Sequence, residues 1–160
     1  MTKPRQVRGL KAAKLMPMGP YPEPKLKGRA AEGLRFQKKV HKALQPLAKR
    51  GELLESQWIR YSDSYGTHWC QLDSALVAHD RVLVVEAKLS LMRLDAAIKQ
   101  LTKLYRPTVE MIFDKPVVML VAFRNWILCD EDPIEMIENP EEMFGMRITD
   151  LKIPRGWHVL

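Results

Sequence analysis

At 160 residues, with 46% hydrophobic and 28% charged, the chain suits one compact domain with an appendage and can bury one substantial core. No apolar run approaches the roughly 18 to 20 residues of a membrane helix. The opening MTKPRQVRGLKAAKLMPMGP lacks the apolar stretch of a secretory signal. Cys70 and Cys129 form no CxxC or Cys/His cluster, which argues against a zinc site or disulfide scaffold and favours a reducing, cytoplasmic setting. No Gly-rich phosphate loop is present, so an ATP-driven activity within this chain is not expected.

The net charge of +7 is confined to one end. Residues 1–30 hold eight basic side chains (Lys3, Arg5, Arg8, Lys11, Lys14, Lys25, Lys27, Arg29) against one acid, Glu23, and the remaining 130 residues balance. The first 28 residues, rich in Pro and Lys, predict an extended basic arm and not a helix or a central strand. Such arms commonly meet nucleic-acid phosphates, although a solvated tail has the same composition.

From Gly28 the pattern turns helical, with Phe36, Val40, Leu44 and Leu47 on one stripe. Pro46 should shorten the last turn and Gly51 stop it. Glu32 lies one turn before Phe36, a carboxylate at the head of the stripe. A strand over Leu54–Tyr61, the turn SDSYGTH and a second strand over about Trp69–Ala78 follow. The nearly all-apolar RVLVVEAKL, Arg81–Leu89, predicts a third strand buried on both faces. A helix then carries Leu94, Ile98, Leu101 and Tyr105 in register until Pro107 ends or kinks it, with a short helical piece to Phe113. KPVVMLVAF, Lys115–Phe123, is the last core strand, parallel to the third through a right-handed crossover. The segment Asp130–Glu142 carries seven acids and no base, which should keep it away from DNA, and the tail suggests a short edge strand. The organisation is thus an arm over 1–28, a core over 29–126 and an acidic extension over 127–160.

The chemistry is concentrated in the third strand. Glu86 and Lys88, two residues apart, project to the same face of an apolar element, where charge is costly unless paired or bound to metal. Asp73, thirteen residues earlier in the preceding strand, is brought near Glu86 by the hairpin at Ala78–Arg81. Two carboxylates that close repel, and a divalent cation resolves the conflict. Their hard oxygens favour magnesium or manganese, with Glu32 a candidate third carboxylate. Lys88 is placed to hold an attacking water and to offset charge building on a phosphate, and Gln100 to orient either. Elsewhere the four histidines are scattered and form no nucleophilic triad. His68 and Tyr65, in the first hairpin, suit loop packing or the wall of a DNA groove.

The order helix–strand–strand–strand–helix–strand, with LDSALV followed by VLVVEAKLS, resembles the PD-(D/E)XK nuclease core over about residues 28–124. That resemblance implies an α/β, restriction-endonuclease-like αβββαβ fold with a mixed central sheet flanked by helices. It also implies metal ligation by Asp73, Glu86 and the Ala87 carbonyl, with Lys88 catalytic. A Glu on the first helix is common in the RecB-like, NERD-like and resolvase-like branches, matched by Glu32. A Gln on the following helix recurs in RecB-like enzymes, matched by Gln100. Two departures stand out. Leu104 occupies the Tyr position of the RecB-like QxxxY pattern, with Tyr105 one residue late, and Leu72 stands where the family name has Pro.

The expected function is a magnesium- or manganese-dependent deoxyribonuclease, either an exonuclease or a structure-specific endonuclease, acting in recombination, repair or degradation. The lean chain suits a phage or mobile-element enzyme working with DNA, and as a homodimer or with a partner protein. The alternative is a catalytically silent DNA-binding or assembly protein on the same fold.

Overall fold

The computed structural model describes residues 6–145 and 147–148. In chain order the elements are β1 (Ala12–Met16), α1 (Gly28–Ala43), β2 (Gly51–Glu55), β3 (Trp58–Asp63), β4 (Gly66–Gln71), β5 (Ser74–Ala78), β6 (Val82–Ala87), α2 (Leu94–Gln100), α3 (Arg106–Phe113), β7 (Val117–Ala122), β8 (Trp126–Cys129), α4 (Glu131–Met136), α5 (Pro140–Phe144) and β9 (Arg147–Ile148). This is an α/β architecture with two sheets. One is a mixed six-stranded sheet in the order β2-β5-β6-β7-β8-β9, and the other a three-stranded sheet in the order β1-β3-β4.

The large sheet is sandwiched. Leu76, Leu83, Val85, Val118 and Leu120 face the α1 stripe of Phe36, Val40, Leu44 and Leu47. The alternate residues Ala75, Val82, Val84, Met119 and Val121 face Ala97, Ile98, Leu101, Leu104 and Val109. Period-two alternation on strands buried on both faces is why β6 and β7 are almost entirely apolar. Each large buried side chain of the α1 stripe stabilises the fold by roughly 1.5–3 kcal/mol. The helix stops where Pro46 has no N–H to continue the ladder, and a 3-10 turn over Gln45–Arg50 carries Leu47 inward. Strands β6 and β7 are parallel, Val82 to Ala87 in register with Val117 to Ala122, and α2 and α3 form the crossover.

The two long strands expected over Leu54–Tyr61 and Trp69–Ala78 are each broken in two. Ser56 adopts a left-handed φ of 47°, and the paired ribbon bends there and at Leu72–Asp73. Ser56 N donates to Asp73 O at 3.0 Å and Leu72 N to Gln57 O at 2.9 Å, so the backbone stays satisfied through the corner. The near half, β2 with β5, joins the large sheet, and the far half, β3 with β4, forms the small one.

The small sheet takes its third strand from the N-terminal segment. Residues Ala12–Met16 pair antiparallel with Trp58–Ser62, and Val7, Leu10, Ala13 and Leu15 pack against the core. The expected extended arm is, over Val7–Met16, part of the folded unit as an edge strand, which is where a Pro-flanked, Lys-bearing segment is tolerated. Lys3 and Arg5 lie outside the described residues. A second tie comes from Pro107. It has no N–H to return to the Lys103 carbonyl four residues back, and that carbonyl accepts the Val7 amide instead, at 2.9 Å. At the other end, β8 continues the large sheet antiparallel to β7, and the short β9 closes it. The acidic extension thus begins inside the sheet, and α4 and α5 contribute Met136, Ile137 and Phe144 to the α1 side of the core. Residues 149–160 lie outside the described residues.

Candidate functional site

The corner of the bent ribbon sets Asp73 at the start of β5, directly beside the end of β6. The Ala87 amide donates to Asp73 Oδ2 at 2.9 Å. Glu86 sits in β6 with the parity of Val82 and Val84, so it points toward α2 and α3, and it is 2% exposed. Lys88 continues the line, its amide bound to Ala122 O at 2.9 Å, and its Nζ lies 2.8 Å from Glu86 Oε1. The Asp73 and Glu86 carboxyls are neighbours here, close enough for each to act on the charge of the other.

Burial pushes the Glu86 carboxyl up to about 8, the Asp73 charge adds to that rise, and Lys88 only partly offsets it. Burial likewise lifts Asp73 to about 6 against the pull of the Ala87 amide and Lys88. Both carboxyls are raised and each acts on the other, so the pair as a whole retains a proton toward neutral pH. Oε2 of Glu86 is buried and has no hydrogen-bond partner among the described residues. A buried carboxylate oxygen without a donor is costly, and two carboxyls in contact repel once both ionise. The donor set is hard oxygen throughout, so the residues fit a magnesium- or manganese-sized cation better than a soft one.

The helix opposite completes a chain of contacts. Lys88 Nζ donates to Gln100 Oε1 at 3.4 Å, Gln100 Nε2 donates to Tyr105 Oη, and Tyr105 Oη donates to Gln71 O at 2.7 Å. Gln100 and Tyr105 are five residues apart, a spacing that an α-helix would rotate past the shared face. Residues Leu101–Tyr105 instead form a π-helical turn, with Arg106 N bonded to Leu101 O. The extra residue per turn restores Tyr105 to the face of Gln100. Burial raises the Tyr105 hydroxyl well above its ordinary range, and Glu86 and Asp73 raise it further, so it stays protonated and acts as a donor. Tyr105, expected in a core stripe and one residue late for the QxxxY pattern, is brought beside Gln100 by this turn.

Glu32 is not brought to this group. It is exposed on α1 and lies 3.9 Å from Arg124 Nη2. Among the described residues, no three His, Cys, Asp or Glu side chains come close enough to hold a metal ion. The protein-derived donors at the corner are therefore Asp73, Glu86 and whatever the backbone at Ala87 supplies. One arrangement was not expected from the sequence. His41 Nδ1 lies 2.8 Å from Ser74 Oγ and its Nε2 lies 3.5 Å from Glu55. Ser74 is only 1% exposed, so its hydroxyl is out of reach of a substrate. The contact ties α1 to the residue that follows Asp73 and steadies the corner.

No protein-family model matches the chain, and comparison with curated proteins and with solved structures gives no match. Among the described residues no helix is long and apolar enough to cross a membrane.

Proposed function

We propose that the chain is a divalent-metal-dependent deoxyribonuclease built on a PD-(D/E)XK-like, restriction-endonuclease-type core, with Asp73, Glu86 and Lys88 at its centre. The observation that carries this reading is the buried Asp73–Glu86 pair, with an ammonium 2.8 Å from one oxygen of Glu86 and no hydrogen-bond donor on the other. Structural ion pairs rarely leave a carboxylate oxygen unsatisfied, whereas a metal ligand requires one free.

A magnesium or manganese ion bound by Asp73 and Glu86 would act as a Lewis acid and lower the pKa of a water from about 15.7 toward neutrality. Ala87, between Glu86 and Lys88, would contribute its carbonyl, as the family resemblance implies. Lys88 neutralises charge that builds on the scissile phosphate and holds the water on the carboxylate side. Gln100 restrains the Lys88 ammonium, and Tyr105 restrains Gln100 through a hydroxyl fixed to the Gln71 carbonyl. Glu32, 3.9 Å from Arg124, does not join Asp73 and Glu86 in a direct ligand cluster, so its part in metal binding would be through water.

Incubating the protein with linear and covalently closed DNA, with magnesium or with EDTA, tests the proposal. The expected result is metal-dependent cleavage that Asp73→Ala and Glu86→Ala abolish. Cleavage that survives either substitution would overturn the site, and an inert protein would leave DNA binding or assembly as the function. Cutting of the closed circle separates an endonuclease from an exonuclease.

A further inference from the structure

We infer that the outward face of the three-stranded sheet is a track for single-stranded nucleic acid leading to the Asp73 corner; the destination rests on the nuclease reading, the binding does not. Lys14 of β1 stands opposite Arg60 of β3, and Arg60 opposite Trp69 of β4. Their neighbours Leu15, Ile59 and Cys70, also in register, turn inward to the core. By alternation Lys14, Arg60 and Trp69 share the outer face. Lys14 and Arg60 are exposed and Trp69 half-buried.

Two cations directly opposite on one face repel. Among the described residues Lys11, Lys14 and Arg60 form no ion pair that would relieve them. The acid of this sheet, Asp63, is spent internally. Burial would raise its carboxyl, but the amides of Tyr65 and Arg8 and the His68 ring outweigh that and hold it below the usual range. Exposed cations are solvated by water, so the charge alone does not require a ligand; what points to one is its register with an aromatic side chain. Cations on adjacent strands, about 4.8 Å apart, with a half-open indole in the next register position, match a polymer that offers phosphates and aromatic faces together. In a duplex those base faces are stacked away, which favours a single strand. At the hairpin tip the Arg8 guanidinium lies 5.7 Å over the Tyr65 ring, itself 69% exposed, repeating the pairing of cation and ring. At the opposite end β4 stops at Gln71, two residues before Asp73.

Anisotropy of a labelled oligothymidylate, titrated with the full chain in EDTA over a range of salt, reads binding without cleavage. Lys14→Gln with Arg60→Gln should weaken affinity at least tenfold at low salt and reduce the salt slope by about 0.7 for each phosphate no longer neutralised. Trp69→Leu should weaken it roughly fivefold or more with the slope unchanged, and Trp69→Phe should restore most of that affinity. Unchanged affinity in the folded double variant, or tighter binding to a duplex of equal length, would overturn the track. Cleavage assayed with magnesium in the same variants keeps the two readings apart. Binding that fails in the variants of a protein that never cleaves upholds the track and overturns the nuclease. Cleavage by a protein whose binding ignores Lys14 and Arg60 does the reverse.

Discussion

The ribbon from Gly51 to Ala78 carries two kinds of charge, one on each side of its bend. On the near side Asp73 meets Glu86 in a buried setting where each ionised carboxyl is held at a cost. On the far side Lys14 and Arg60 stand on an exposed face where water screens them. The two clusters therefore carry different weight. A surface cation costs the fold almost nothing and needs no explanation by itself, so the far side points to a ligand only through its register with Trp69. A buried carboxyl with a donor-less oxygen is costly, and Lys88 meets only its other oxygen, so the near side carries the stronger argument for the proposed cation.

The largest effect expected from this contrast is on the near side. Asp73→Ala or Glu86→Ala should reduce cleavage by roughly a thousandfold or more, since several kcal/mol of transition-state stabilisation disappear with the metal. Lys88→Met should cost about 10²- to 10³-fold in kcat, as for removal of one preorganised donor. Gln100→Ala and Tyr105→Phe, which act through Lys88, should cost about 10- to 100-fold in kcat and leave KM near its original value. A rise in KM with kcat preserved would instead move Gln100 to the substrate.

A subtler consequence concerns pH. Glu86 and Asp73 are raised in the folded chain, so the folded state holds protons that the unfolded chain has released. Without metal, stability should therefore fall as pH rises from the ordinary carboxylate range through about 8, by on the order of a few kcal/mol in total. Glu86→Gln, which mimics the protonated side chain, should flatten that fall in thermal unfolding. A wild-type Tm that shows no drop between the ordinary carboxylate range and about 8 would contradict the retained proton. The smallest effect belongs to the bend itself. Ser56→Gly relieves a left-handed non-glycine residue and should stabilise by a few tenths of a kcal/mol up to about 1, without changing cleavage.

Much of the large sheet is legible in the sequence because its signals are local. The apolar run of β6, the α1 stripe and the crossover between β6 and β7 follow from periodicity, and the two-residue spacing of Glu86 and Lys88 places them on one face. The features that escape are those set by distant pairing or by a backbone irregularity. Residues 12–16 look like a basic, Pro-flanked arm until β3, more than forty residues later, supplies the hydrogen bonds that make them a strand. Serine is no signature of a left-handed turn, so the split at Ser56 is invisible in composition. The π turn at Leu101–Tyr105 has no residue pattern of its own, and without it Tyr105 falls off the face of Gln100. Glu32 sits at the head of its stripe as expected, but its neighbour Arg124, 3.9 Å away, is set by tertiary structure that periodicity does not show.

Calorimetric titration of manganese into the full chain and into Glu86→Gln reads the metal site without requiring turnover, and so bears on the shared cation before any substrate is known. One ion should bind with release of about one proton per ion at pH 7, with affinity that increases as pH rises through the interval from about 6 to about 8, and binding should vanish in the variant. Binding that is independent of pH and undiminished by Glu86→Gln would show that the two carboxyls do not share a cation.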